Sequence, residues 1–285
     1  MSTPRPLRMD GRGCLVVGGT SGIGLTTADL FLAEGARVVV CGRSPKTLDE
    51  ARTILDAVSP GKVLAATCDA TNPAEVERLV DESVSFLGGR LDVLFHVAGI
   101  SGRRFGDGPL HECTEEGWAA VIETNARSVF LTNRAAVRRM LAQPLDDRGV
   151  RGAVLNMGSV LGSSPAPDFF GTYAYAASKG AIRAMTRNAA ARYARDRIRF
   201  NVIEPGLIET PMAGRAVGDP AIRAYLETKQ PMAGGPGSAE DCAEAALFLC
   251  EPSSRFLTGV ALPVDGGWRV CEGQLPFTAP QDAAD

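Results

Sequence analysis

Tyr175 and Lys179 stand four residues apart in Tyr-Ala-Ala-Ser-Lys, a spacing that puts phenol and ammonium on one face of a helix. A free tyrosine ionises near ~10, too high for rapid proton exchange at neutral pH. A neighbouring cation favours phenolate and is expected to lower that value. Upstream, Asn156-Met157-Gly158-Ser159 closes an apolar run. A serine hydroxyl there could hold a carbonyl oxygen while the tyrosine protonates it, or it could simply cap a loop. Together these residues offer general acid/base chemistry at an oxygen atom.

A second group suits phosphate. Val17-Gly18-Gly19-Thr20-Ser21-Gly22-Ile23-Gly24 follows an apolar run and leads into a helical pattern. Glycines at 18, 22 and 24 allow a tight turn and close approach of backbone to a pyrophosphate. The helix beyond presents unpaired N–H groups and a positive dipole end. Alone, the loop also fits a glycine-rich turn with no ligand. The next apolar run ends Val40-Cys41-Gly42-Arg43-Ser44, where a dinucleotide site usually carries an acid for the ribose 2′-hydroxyl. A guanidinium suits a phosphate instead. Arg43 therefore favours NADP(H), with NAD(H) as the other possibility; a solvated arginine or one stacked on adenine is the alternative reading.

These residues sit at the ends of short apolar runs at Gly13–Val17, Arg37–Cys41, Val63–Thr67, Leu91–Val97, Ala153–Met157, Arg199–Ile203 and Val260–Val264. Such runs, rich in Val, Leu and Ile, read as strands buried on both faces. Helical spacing between them, as in Ile23–Ala33, Ala74–Phe86, Thr114–Leu141 and Ala176–Ala194, predicts an α/β, Rossmann-type doubly wound parallel sheet of about seven strands with helices on both faces. Residues 1–271 read as one catalytic domain with a lid over about 207–237, where Pro and Gly pairs break the pattern. The Pro-rich, acidic stretch 272–285 reads as a tail.

Composition narrows the function classes. Thirty basic against thirty-three acidic residues give no electrostatic reason for nucleic acid or an anionic membrane as partner. The seven cysteines have no metal-ligand spacing, and neither His96 nor His111 lies in a Cys or acidic cluster, so no metal site is expected. Reduced thiols and no membrane-spanning run point to a cytoplasmic chain.

The motifs occur in an order that resembles the short-chain dehydrogenase/reductase family over roughly Gly11 to Gly267. They are the glycine loop, Asp69, Ala98-Gly99, Asn125 in Glu-Thr-Asn-Ala, then Ser159, Tyr175 and Lys179. Pro205-Gly206-Leu207-Ile208-Glu209-Thr210 and Val264-Asp265-Gly266-Gly267 follow. The resemblance implies a catalytic tetrad. Tyr175 would be the general acid or base and Ser159 would orient the substrate oxygen. Lys179 would bind the nicotinamide ribose, and Asn125 would hold a water linking Lys179 to solvent.

It also implies that Gly18, Thr20, Ser21, Gly22, Ile23 and Gly24 meet the cofactor. Asp69 and Ala70 would contact adenine, Ala98 and Gly99 would lie along the ribose, and Pro205, Gly206, Ile208 and Thr210 would lie near the nicotinamide. A small carbonyl or alcohol substrate and a homo-oligomer, dimer or tetramer, follow from the same likeness. The expected activity is NADPH-dependent ketone reduction. An NAD+-linked alcohol dehydrogenase and a non-catalytic cofactor-binding regulator are the alternatives, and an enoyl reductase of this family would use a wider Tyr–Lys spacing.

Several residues depart from the pattern or lie outside it. Val17 stands where the family usually has Thr. His96-Val97 replaces an Asn-Asn pair, with His96 expected to brace the sheet. Ser159 and Tyr175 are separated by a longer loop whose Phe169 and Phe170 suggest an apolar or ring-bearing substrate. Arg103-Arg104 reads as a solvated pair that could otherwise attract an anionic substrate. Trp118 and Trp268 read as packing residues.

Overall fold

The computed structural model describes residues 5–271; the stretch 272–285, read as a tail, lies outside them. In chain order the elements are β1 (Gly13–Val17), α1 (Gly22–Ala33), β2 (Arg37–Gly42), α2 (Pro45–Val58), β3 (Val63–Thr67), α3 (Pro73–Phe86) and β4 (Val93–His96). Then come α4 (Glu115–Val121), α5 (Ser128–Ala142), β5 (Gly152–Met157), α6 (Pro167–Phe170), α7 (Tyr173–Tyr193) and β6 (Ile198–Pro205). The chain ends in α8 (Gly214–Val217), α9 (Pro220–Lys229), α10 (Ala239–Cys250) and β7 (Ala261–Val264). The seven strands form one sheet in the order β3-β2-β1-β4-β5-β6-β7, and every pairing is parallel.

Both sheet faces are covered because the strands are apolar at successive positions. Val16, Val38, Val40 and Phe95 pack on one side with Phe31 of α1 and Leu247 of α10. Leu15, Val17, Val39 and Leu94 pack on the other with Leu79 of α3, Leu131 of α5 and Ala190 of α7. This is the period-2 alternation of a strand buried twice. Strand order reverses between β1 and β4, so a crevice opens at their carboxyl ends.

Helix starts carry their own stop signals. Asn72 accepts from Ala74 N and Glu75 N at the head of α3, and Asp219 accepts from Ala221 N at the head of α9. Ser238 and Asp241 form a reciprocal capping box on α10.

The helical pattern over Thr114–Leu141 is not one α-helix. A π-helical turn, Ile122–Arg127, separates α4 from α5, and such turns cluster at functional sites. Side-chain periodicity barely distinguishes one inserted residue, which is why the sequence reads through it.

His96 braces the sheet as expected. Buried at the end of β4, its Nδ1 lies 2.8 Å from Thr132 Oγ1 and its Nε2 lies 3.2 Å from Ser128 Oγ, both on α5. Burial, reinforced by the nearby Lys179 ammonium, pushes its pKa down to about 3. The folded protein therefore keeps His96 neutral where the unfolded chain, ionising near ~6.5, takes up a proton. Stability is lost as pH falls from ~6.5 toward 3, by roughly 2 kcal/mol at pH ~5. Urea unfolding across that range should show this slope in the wild type and a shallower one in His96→Asn; equal slopes would place the proton uptake elsewhere.

Candidate active site

A cleft of about 560 Å³ lies at the carboxyl ends of the strands and contains Ser159, Tyr175 and Lys179. The sequence-derived cofactor residues Gly18, Thr20, Ser21, Gly22, Ile23, Gly24, Arg43, Asp69, Ala70, Ala98, Gly99, Pro205, Gly206, Ile208 and Thr210 also line it. Asn125 stands behind the wall. Its Oδ1 accepts from Ile100 N at 2.8 Å, and its Nδ2 donates to Ile100 O at 3.0 Å and to Ser178 Oγ at 3.1 Å. It thereby ties the π-helical turn to the strand loop and to α7.

Ser159 follows β5 directly, while Tyr175 and Lys179 lie in the first two turns of α7. The loop after Ser159 presses on that helix so closely that a Cβ on Gly162 would fall 2.9 Å from Gly180 N. This approach brings serine and tyrosine together across the long intervening loop. Lys179, buried, donates from Nζ to Met157 O at 3.0 Å and lies 5.5 Å from the Tyr175 ring centroid. Burial lowers its pKa to about 8.

The tyrosine differs from expectation. Burial pushes the Tyr175 phenol up, and its hydrogen bond with Ser159 pulls the other way without cancelling that rise. Desolvation dominates, and no lowering by Lys179 offsets it. Burial thus favours the neutral phenol.

The opposite end of the cleft fits a dinucleotide. Gly18 has φ +87°, and a Cβ there would sit 2.7 Å from Ala98 N. A Cβ on Gly24 would sit 2.3 Å from Gly18 O, so side chains are excluded where backbone must approach a pyrophosphate at the head of α1. Beyond them burial opposes ionisation of Asp69. Hydrogen bonds from Thr71 N and Oγ1, with attraction to the Arg43 guanidinium, outweigh it and hold that carboxyl below its usual range.

Comparison with known proteins agrees with this geometry. A family model described as enoyl-(acyl carrier protein) reductase matches residues 17–269. A glucose 1-dehydrogenase of Gluconobacter oxydans is 35% identical over 271 residues, spanning 94% of this chain and 95% of the relative. A 3-oxoacyl-(acyl-carrier-protein) reductase of Thermotoga maritima is 34% identical over 261 residues, spanning 92% of this chain and 99% of that one. The chain belongs to the short-chain dehydrogenase/reductase family. A solved short-chain type dehydrogenase/reductase from Mycobacterium ulcerans superposes with a TM-score of 0.84 at 29% identity, covering 93% of this chain and 92% of its own. This short-chain dehydrogenase/reductase is an NAD(P)-dependent enzyme acting on CH–OH and C=O groups.

Around this cleft the family member places the other residues that the sequence singled out. Arg103 and Arg104 are exposed, as the solvated reading expected, but Arg103 also lines the cleft and donates to Phe169 O at 3.1 Å, while Arg104 stacks over Phe105. Trp268 is buried packing, as expected, but also faces the cleft. Trp118, read as a packing residue, is 42% exposed, with its ring 6.1 Å from that of Tyr173. Phe170 lines the cleft, whereas Phe169 packs on Tyr225 of α9 at 4.9 Å. The 207–237 segment, read as a lid, contributes α8 and α9 to a small apolar cluster around Ala216, Ile222, Leu226 and Trp268.

Asp107 escaped the sequence reading. It is buried, and its two carboxylate oxygens accept from Ala174 N and Tyr175 N, each at 2.9 Å. Thr172, the residue at the N-cap of α7, makes no side-chain cap bond, so a carboxylate from a distant loop supplies the cap. Nothing local marks Asp107, because its partners lie far along the chain. It is a positioning residue for the turn that carries Tyr175.

Loss of both bonds in Asp107→Leu should lower kcat roughly 10²-fold, as small misplacements at reacting groups do. Asp107→Asn, which retains an acceptor oxygen, should recover part of that loss, with the nicotinamide nucleotide Kd little changed in either variant. A drop in thermal stability with unchanged kcat would limit Asp107 to folding.

Proposed function

We propose that this enzyme reduces a ketone to a secondary alcohol with NADPH, using Asn125, Ser159, Tyr175 and Lys179. The observation that supports the reading is the half-buried Tyr175 phenol beside Ser159 at the strand end. Bound NADPH supplies the hydride. The Ser159 hydroxyl donates to the substrate carbonyl oxygen and fixes its position. The Tyr175 phenol then gives its proton to that oxygen as negative charge develops. Lys179 would hold the nicotinamide ribose and relay the proton that restores the phenol. Asn125 completes the proton path from Lys179 toward solvent. A four-residue Tyr–Lys spacing fits this chemistry rather than the enoyl reduction in the family model's description.

NADP(H) is the proposed cofactor because Arg43, next to Asp69 at the adenine end, offers a guanidinium where a 2′-phosphate would sit. Asp69 and Ala70 would flank adenine, Ala98 and Gly99 the ribose, and Pro205, Gly206, Ile208 and Thr210 the nicotinamide. The 207–237 segment would close over the substrate. A cytoplasmic homo-oligomer belongs to the same reading, supported by exposed Trp118 and Phe130 on α4 and α5.

Nucleotide-fluorescence titration should show NADPH binding at least ~10-fold tighter than NADH, a preference lost in Arg43→Ala. NADPH oxidation should then depend on an added ketone. Equal or tighter NADH binding would favour an NAD+-linked alcohol dehydrogenase. Binding of neither nucleotide would favour a non-catalytic role.

A further inference from the structure

The cleft carries two guanidiniums that the proposed reaction does not use. Arg103 comes from the short turn after β4, and Arg215 comes from α8, and both, though exposed, line the cleft that holds Ser159 and Tyr175. Among the described residues, neither forms an ion pair with a carboxylate. Asp107 is the acid that attracts Arg103, but both its oxygens already accept from the backbone of α7.

A guanidinium has five N–H donors. Arg103 commits one nitrogen to the Phe169 carbonyl, which aims the side chain along the loop that follows Ser159. Arg215 makes no side-chain hydrogen bond among the described residues. Burial, and then repulsion from Arg215, lowers the pKa of Arg103. An anion lying between two such like charges offsets their repulsion.

Leu161, Phe170, Met212 and Trp268 give the same cleft apolar lining. The pyrophosphate cradle is at Gly18 and Gly24, whereas Arg103 is tied to Phe169 on the substrate side. We infer that Arg103 and Arg215 form an anion-binding subsite, so that the enzyme's substrate is an oxo compound with an apolar body and a carboxylate or phosphate monoester at its far end. This inference rests on the ketone-reductase reading of the cleft, and it makes the two arginines specificity determinants rather than catalytic residues.

The test uses probes with no reducible carbonyl, so it is independent of turnover. Calorimetric titration of the NADPH-loaded protein would compare cyclohexanecarboxylate, 4-phenylbutanoate and phenyl phosphate with cyclohexanecarboxamide, 4-phenylbutanamide and phenol. At least one anion should bind about 10-fold tighter than its neutral counterpart. That preference should fall to within about twofold in Arg103→Met/Arg215→Met, with NADPH Kd unchanged on the same scale. A preference for the acids would assign an oxo acid, and one for phenyl phosphate alone would assign a phosphate monoester. Three results would each overturn the proposal: no anion preference in the wild type, a preference that survives in the double variant, or a parallel loss of NADPH affinity. The last would assign the arginines to the cofactor.

Discussion

The site depends on one buried ammonium. Lys179 is almost fully enclosed, and burial lowers its pKa to about 8, which corresponds to about 3 kcal/mol of disfavoured charge. The Met157 carbonyl partly offsets this cost by accepting from Nζ. That bond spans β5 and α7, so the strand that delivers Ser159 and the helix that delivers Tyr175 are joined at one point. The same charge helps keep His96 neutral behind the sheet. Moving the lysine would therefore disturb both the chemistry and the packing under it.

Around that ammonium the fold supplies rigid placement. Parallel strands end together at the point where their order reverses, so residues far apart in sequence meet at one crevice. The π-helical turn lets Asn125 face the loop after β4 while α5 continues to pack on the sheet. Asp107 holds the first turn of α7 from outside the helix. Gly162 allows loop and helix backbones to touch. Each of these contacts fixes position, and position is what a family whose hydride comes from its cofactor requires of the protein.

Local pattern made much of this legible. The apolar runs marked all seven strands because a strand buried on both faces needs continuous Val, Leu and Ile. The glycine loop and the Tyr175–Lys179 spacing marked the crevice because their geometry is set within a few residues. Contacts between distant segments were not legible. Asp107 looks like any loop aspartate until its backbone partners are seen, and nothing ties Arg103 to Phe169 until the two loops fold together. The raised Tyr175 pKa was hidden for the same reason, since desolvation depends on everything that encloses the phenol. The π-helical turn hides in an unbroken helical periodicity.

The central claim is that Tyr175 and Lys179 act as one proton-transferring unit. It is tested most directly by single-turnover reduction of a ketone substrate in Tyr175→Phe, Lys179→Met and the double variant, each saturated with NADPH. If the lysine works through the phenol, the double variant should be no slower than Tyr175→Phe alone, because residues acting as a unit are strongly non-additive. Rate losses that multiply in the double variant would show two independent roles and contradict the account.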